Sequence, residues 1–341
     1  MMMNKILFVG DLHCQKNNLA ERELLFKYIG EILSKNEVSS ICFLGDIFNT
    51  HDVLKVETAF EVRRMFKSLN FKNIDILVGN HDFSTPTAVN LSNSVKLSLN
   101  DIGNVIDTPI FTGDRLYLPF IGNNEDFVSI CNDYKDKKIL ICHQTFDSAK
   151  FENNFTAPNG VDQSLIPQKI IISGHIHKRQ VLKGRDNVVF YLGTPAALNA
   201  NEENENKFIT ILDIETMKFH DFSTDHIMKR FISIEINEEC DSLIVARKDD
   251  WKINDDIRIY VKGTENFYEK VLEVNKDLVN VKFIPNLKKQ FDKKIDIENS
   301  RESIDQSFFK YVHEIHDISN DFREEVWKTL LSQIPTLGHK K

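Results

Sequence analysis

No stretch of the 341 residues approaches the roughly 18 consecutive apolar positions a membrane-spanning helix requires, so no membrane association is expected. The amino-terminal run "MMMNKILFVGDLH" is cut short by Asp11 and His13 and lacks the small-residue cleavage site of a signal peptide, which argues against secretion. The five cysteines are odd in number and include no CxxC pair, a pattern of reduced thiols and an expected cytoplasmic location. Cys42 and Cys142 lie inside apolar runs and read as small core residues. A basic excess is also missing. The formal net charge is −8, and the clusters Lys288-Lys289 and Lys293-Lys294 read as a solvated charged segment rather than a binding stripe. An anionic polymer as substrate would therefore need positive charge from metal ions or from a partner. Internal repeats and low-complexity tracts are absent.

The chain is 41% hydrophobic and 28% charged, ordinary for a globular protein, and long enough for one large domain with an appendage or for two domains. Short apolar runs, "KILFV" (5–9), "SICFL" (40–44), "IDILV" (74–78), "KILIC" (138–142) and "KIIIS" (169–173), are apolar on both faces and predict buried strands. Between them, "ERELLFKYIGEILSK" and "VETAFEVRRMFKSL" carry apolar residues at three- and four-residue spacing and predict amphipathic helices. The alternation implies an α/β sheet covered on both sides. "VVFYLG" and "KFITILDIE" predict two further strands, placed in a second sheet. After about residue 225, "KRFISIEI", "DIRIYV" and "LVNVKFI" alternate as half-exposed strands beside a helix at "ENFYEKVLEV", a small α+β unit. A charged stretch over roughly 286–304 leads to two predicted helices, "SFFKYVHEIHDI" and "NDFREEVWKTLLSQI", apolar enough to dock on something.

The chemistry lies just past the strands. The five runs are followed by Gly10-Asp11-Leu12-His13, Gly45-Asp46, Gly79-Asn80-His81-Asp82, His143, and Gly174-His175-Ile176-His177. Ligands of open α/β sheets bind at the carboxyl ends of strands, so these groups can converge. Singly each has an ordinary structural explanation: Asp46 as a cap, His143 as a core histidine, Asn80–Asp82 as a turn. Five such explanations holding together is the less economical reading. His175 and His177, two apart on an extended chain, face the same way. Two aspartates, an asparagine and four histidines offer mixed oxygen and nitrogen donors without thiolate. That suits Mn²⁺, Fe²⁺ or Zn²⁺ in a catalytic centre. Seven ligands fit two ions bridged by Asp46, a pair that can generate hydroxide and clamp a phosphoryl group. His81 is then free to protonate the leaving oxygen.

In order, "GDLH", "GDIF", "GNHD", "H" and "GHIH" resemble the calcineurin-like metallophosphoesterase family over about residues 4–215. The resemblance assigns Asp11, His13, Asp46 and His177 to one metal. Asp46, Asn80, His143 and His175 go to the other, with His81 as the catalytic histidine and Asp82 orienting it. "GDIFNTHD", "LVGNHDFSTP", "LYLPFIGNNED", "SGHIHKRQ" and "FYLGTPAALN" resemble the SbcD-type DNA repair nucleases within that family. That likeness implies a four-layer α/β/β/α sandwich over 1–222, a small α+β capping domain over 223–286, and a charged linker with partner-binding helices over 287–341. It further implies a Mn²⁺-dependent exonuclease and endonuclease (Mg²⁺, Fe²⁺ or Zn²⁺ being alternatives) acting on DNA. Its partners would be an SbcC-type coiled-coil ATPase and a second copy of the chain, the latter through "TAVNLSNSVKLSL". The alternative is a phosphodiesterase of small molecules such as cyclic nucleotides or dinucleotide polyphosphates. "GDIFN" lacks the arginine of protein phosphatase motifs, which counts against phosphoprotein substrates. Asn49 stands where many relatives carry an aspartate or histidine, and His51 is either an assistant at the site or a loop residue. Lys178 and Arg179 are either solvated or phosphate contacts at the rim.

Overall fold

Strands apolar on both faces must be covered on both faces, and two sheets stacked back to back with helices outside satisfy that requirement. This is the arrangement found in a computed structural model of the protein, which describes residues 5–287 except 52, 86–91, 240–242, 244, 246–250, 253 and 279. In the first sheet β1 (Lys5–Val9), β2 (Ser40–Phe43), β3 (Ile74–Leu77) and β4 (Asn104–Ile106) run parallel. Antiparallel β11 (Phe208–Asp213) and then β12 (Lys218–Ser223) extend it beyond β1. In the second, β6 (Arg115–Leu118), β7 (Ile139–His143), β8 (Ile170–Gly174) and β10 (Val188–Tyr191) are parallel. Antiparallel β5 (Ile110–Thr112) and β9 (Gln180–Lys183) form its edges.

Ile6, Phe8, Cys42, Leu44 and Leu77 of the first sheet meet Tyr117, Ile141 and Ile172 of the second in the inter-sheet core. The opposite side chains of the first sheet pack under α1 (Leu19–Lys35), α2 (Val56–Ser68) and α3 (Ser94–Leu99). Those of the second pack with α4 (Asn124–Asp133) and the segment 146–166. The fold is the expected four-layer α/β/β/α class. One expectation is corrected: β10 lies in the second sheet, but β11 joins the first, paired from Lys5↔Asp213 to Phe8↔Thr210. An apolar run signals burial, and a chain that crosses back between two equally apolar sheets leaves no local trace of it.

A third sheet, β13 (Phe231–Asn237), β14 (Asp256–Gly263) and β15 (Val281–Leu287), is wholly parallel. Alternation along β14 turns Ile257, Ile259 and Val261 toward Phe267 and Val271 of α5 (Glu265–Val274), giving this unit its own small core. Thr264 caps α5 through the amide of Phe267. The sheet is tied to the sandwich by Lys229 N–H to Glu21 (2.6 Å) and by Asn204 N–H to the Phe231 carbonyl (2.9 Å). Among the described residues no helix is long and apolar enough to cross a membrane. The two helices expected after residue 304 lie outside the described residues, as do positions 87–91 of the expected dimerisation segment.

Two glycines separate close approach from mere tolerance. A Cβ on Gly10 would stand 2.0 Å from the Gly193 carbonyl oxygen, whereas one on Gly30, inside α1, would meet nothing within 4 Å. Gly10→Ala should destabilise the fold by about 3 kcal/mol or more. Gly30→Ala should stabilise it by roughly 0.5–1 kcal/mol, both read by denaturant unfolding.

Candidate metal centre

The parallel strands of both sheets deliver their carboxyl ends to one place. Behind β1 and β2 the two loops are laced by backbone bonds: Leu12 and His13 N–H to the Asp46 carbonyl (3.1 and 2.9 Å) and Cys14 N–H to Ile47 (2.8 Å). Arg22, buried on α1, donates its Nε–H to the Leu12 carbonyl at 2.7 Å and so fixes that loop from beneath. The lacing bends the chain sharply. His13, Asp46 and His175 have φ of 44°, 49° and 76°, left-handed values that cost non-glycine residues energy and gather at functional sites. The glycine before Asn80 is needed for space rather than for its dihedral. Gly79 has φ −86°, and a Cβ there would stand 2.2 Å from Asp46 Oδ1.

Seven side chains converge in two groups that share Asp46. His13 Nε2 lies 3.1 Å from His177 Nε2 and 3.5 Å from Asp46 Oδ2, with Asp11 Oδ2 3.8 Å from His177. On the other side His143 Nε2 is 3.4 Å from Asp46 Oδ1 and 3.0 Å from Asn80 Oδ1, and Asn80 Oδ1 is 2.7 Å from His175 Nδ1. The backbone secures both aspartates: His175 N–H donates to Asp11 (3.0 Å) and His81 N–H to Asp46 (2.9 Å).

The donor chemistry fits cations. The Leu44 carbonyl accepts from His143 Nδ1 at 2.7 Å, so that nitrogen carries a hydrogen and Nε2, when it holds no proton, presents a lone pair. That lone pair faces the oxygens of Asn80 and Asp46, and His175 Nδ1 stands 3.3 Å away. Acceptors aimed at one another from such distances need a proton or a metal cation between them. The ionisation preferences agree. Burial opposes a charge on His143, yet Asp46 and Asp11 overcome it and raise the imidazole to about 9. Burial raises Asp46 too, but His143, by charge and hydrogen bond, pulls it well below the usual carboxylate range. Burial pushes Asp11 up to about 6 against His143. His175 falls to about 3 through burial and the charge of His143. Asp11, His13 and His177 form one group able to hold a cation, and Asp46, His143 and His175 another. Cys14, whose thiol burial pushes to about 12, offers no thiolate.

Around the ligand set the sequence was less informative. Asp82, expected to orient His81, has no bond to that ring among the described residues. Its buried carboxylate accepts the amides of Ile47 (3.2 Å), Phe48 (2.9 Å) and Gly79 (2.9 Å), stapling two ligand loops together. His81 is oriented instead by the Asn49 carbonyl, 3.1 Å from Nδ1, which leaves Nε2 as the free nitrogen. His51 stacks on the His81 ring at 4.7 Å, which favours a role beside the site over that of a distant loop residue. The two basic residues after "GHIH" are engaged differently, Lys178 by a neutral amide and Arg179 by a carboxylate. Lys178 bonds Asn154 (2.6 Å), and Arg179 forms a bidentate pair with Asp221 (2.9 Å). A cleft of about 380 Å³ opens beside His13, His81 and His177 and is walled by Gln15, Asn18, Lys229 and Phe231.

Comparison with known proteins agrees with this geometry. The family model for calcineurin-like phosphoesterases matches residues 4–179. "Putative phosphoesterase 078R" of Invertebrate iridescent virus 3 is 24% identical over 187 residues, covering 51% of this chain and 53% of that protein. The chain thus spans about half the length of this curated relative. Among solved structures, an archaeal phosphodiesterase is similar at 16% identity (64% of this chain, 99% of that one, TM-score 0.36). GAP50 of Plasmodium is similar at 11% (67% and 90%, TM-score 0.40). At these values the structural likeness bears on neither substrate nor partner.

Two outcomes are expected. In cation-stripped protein His143 keeps its proton to about pH 9 when folded but only to 6.5 when unfolded. The stability this contributes is complete below pH 6.5 and lost as pH rises through 9. Asp82, raised by burial from 3.8 to about 8, acts in the same direction. The melting temperature with EDTA should therefore fall between pH 6.5 and 9, and added Mn²⁺, replacing the proton, should flatten that fall. Asp46→Ala should abolish binding of both cations, whereas His177→Ala should weaken one, as read by elemental analysis of dialysed protein.

Proposed function

Because the chain belongs to the calcineurin-like phosphoesterase family, we propose that it is a metal-dependent phosphoester hydrolase and that its substrate is a phosphodiester of DNA. In this reading it is the nuclease subunit of an SbcCD-like repair or recombination complex. The observation that carries the reading is the cleft wall. The chain entering the third sheet brings Lys229 and Phe231 to the same 380 Å³ space that His13, His81 and His177 line; the Lys229 ammonium stacks on the Phe231 ring (4.5 Å) and lies 3.8 Å from Asp256, so this wall of the cleft carries a cation on an apolar ring. A nucleotide strand presents the complementary pairing of anion and flat apolar base.

Asp11, His13, His177 and one oxygen of Asp46 would hold one divalent cation, and Asn80, His143, His175 and the other oxygen its neighbour; Mn²⁺ suits these donors. Bound there, the pair supplies Lewis-acid stabilisation of charge on a phosphoryl group. The side chains of the protein do the rest. His81, its Nδ1–H held by Asn49, keeps Nε2 available to carry a proton to the departing oxygen. Asn18 braces the loop, donating to the His13 carbonyl (2.9 Å) and accepting the Gln15 N–H (2.9 Å), and the side-chain amide of Gln15 lines the approach, where it can orient phosphate oxygens. Asp82 keeps the loops bearing Asp46 and Asn80 in register. A small phosphodiester is the second reading, favoured by the cleft volume, which lies near the lower end of small-molecule sites.

The ATPase partner is proposed from the layout of the chain after residue 287. A homodimer is proposed from α2 and α3, which pack together and leave Val56, Phe60 and Leu97 exposed. With Mn²⁺, linear DNA should be cleaved, more strongly when an SbcC-type ATPase is added. Hydrolysis of bis-p-nitrophenyl phosphate without any cleavage of DNA in either condition would select the second reading. His81→Ala should slow hydrolysis ~10²–10⁴-fold while cation content stays unchanged.

A further inference from the structure

His177 differs from the other histidines of the centre in what stands behind it. His143 turns its Nδ1–H to a neutral backbone carbonyl, and the buried Nδ1 of His13 has no partner among the described residues. Behind His177 stand two carboxylates: Glu152 Oε1 at 3.6 Å from Nδ1 and Glu202 Oε1 at 3.9 Å. A shift of about 0.4 Å brings Glu152, and one of about 0.7 Å brings Glu202, within the roughly 3.2 Å limit of an N–H···O hydrogen bond.

Both carboxylates are built into place. Glu202 is buried, and its Oε1 accepts the amide of Leu198 at 3.0 Å. Its Oε2 meets the Thr194 hydroxyl at 3.2 Å and the ammonium of Lys207 at 2.6 Å. Lys207 is itself buried and also reaches Glu205 at 3.1 Å. Glu152 rides on the loop between β7 and β8, which is clamped to the chain following His177. Lys150 and Gln180 exchange two bonds (2.9 and 2.7 Å), and Lys178 holds Asn154. The lysine after "GHIH" thus serves to dock the loop that brings Glu152 over the histidine.

We propose that Glu152 and Glu202 are positioning residues for His177, receiving its Nδ1–H and thereby setting how tightly the Asp11–His13–His177 half of the centre holds its cation. The proposal rests on the two-cation reading above. A carboxylate behind a ligating imidazole fixes its tautomer, holds its plane and makes its metal-facing nitrogen more basic. The half containing His143 has only a carbonyl in that position, so the two halves are unequal by construction. Glu152, His177 and Glu202 also lie close enough together to hold a cation of their own; Lys207, on the far oxygen of Glu202 and shared with Glu205, lowers the charge available there, and titration with Mn²⁺ separates the two readings.

The test is calorimetric titration of Mn²⁺ into stripped wild-type protein, E152Q and E202Q, with melting temperatures measured alongside. Two binding events are expected in the wild type. Each substitution should weaken one of them by about 10-fold or more and leave the other unchanged. Glu152 is partly exposed, so E152Q should melt as the wild type does. E202Q/K207M, which removes both buried charges together, replaces E202Q if the latter does not fold. Two wild-type events unmoved by E152Q and by the Glu202 variant overturn this proposal alone, and so does a third event that vanishes in E152Q. Wild-type protein that binds no Mn²⁺ overturns the two-cation reading and this proposal with it.

Discussion

Asp46 carries a full negative charge in an interior that excludes water, and much of the surrounding structure balances that charge. Its two oxygens face different histidines, His13 through Oδ2 and His143 through Oδ1, and Oδ1 also takes the amide of His81. An isolated carboxylate in this position would take up a proton to escape burial. Here the facing imidazoles hold it ionised while it holds His143 protonated, an arrangement that one proton balances poorly and two divalent cations balance well.

Keeping such groups together needs a scaffold that cannot relax. The loops after β1 and β2 are laced by three backbone bonds, and Asp82 staples the second of them to the loop after β3. The left-handed dihedrals of His13, Asp46 and His175 are sustained by this bracing, and they aim side chains that an extended chain would send elsewhere. The space is equally constrained. At Gly79 a single added carbon would collide with Asp46, so the glycine there reflects crowding by the centre itself.

The outer environment is asymmetric. One flank of the centre opens to a cleft that Lys229 and Phe231 complete, and beyond His177 lies an acidic cradle of Glu152 and Glu202 with Lys207 behind it. The flank at His175 is closed by Phe120, stacked on the imidazole at 5.8 Å. Approach is thus possible from the side of His13, His81 and His177, where the free nitrogen of His81 waits.

The sequence alone revealed the strands, because five runs apolar on both faces admit little else, and it revealed the candidate ligands, because each sits within a few residues of a strand's end. It also located the helix and alternating strands of the third unit, whose periodicity is local. What lies between elements distant in the chain was decided only by tertiary structure. That β11 returns to the first sheet, that Asp82 binds amides rather than His81, and that Lys178 and Arg179 are spent on Asn154 and Asp221 each depend on a partner dozens of residues away. Glu152 and Glu202 leave no trace in the sequence for the same reason: an isolated glutamate in a polar loop carries no pattern, and acquires one only when folding sets it behind a histidine.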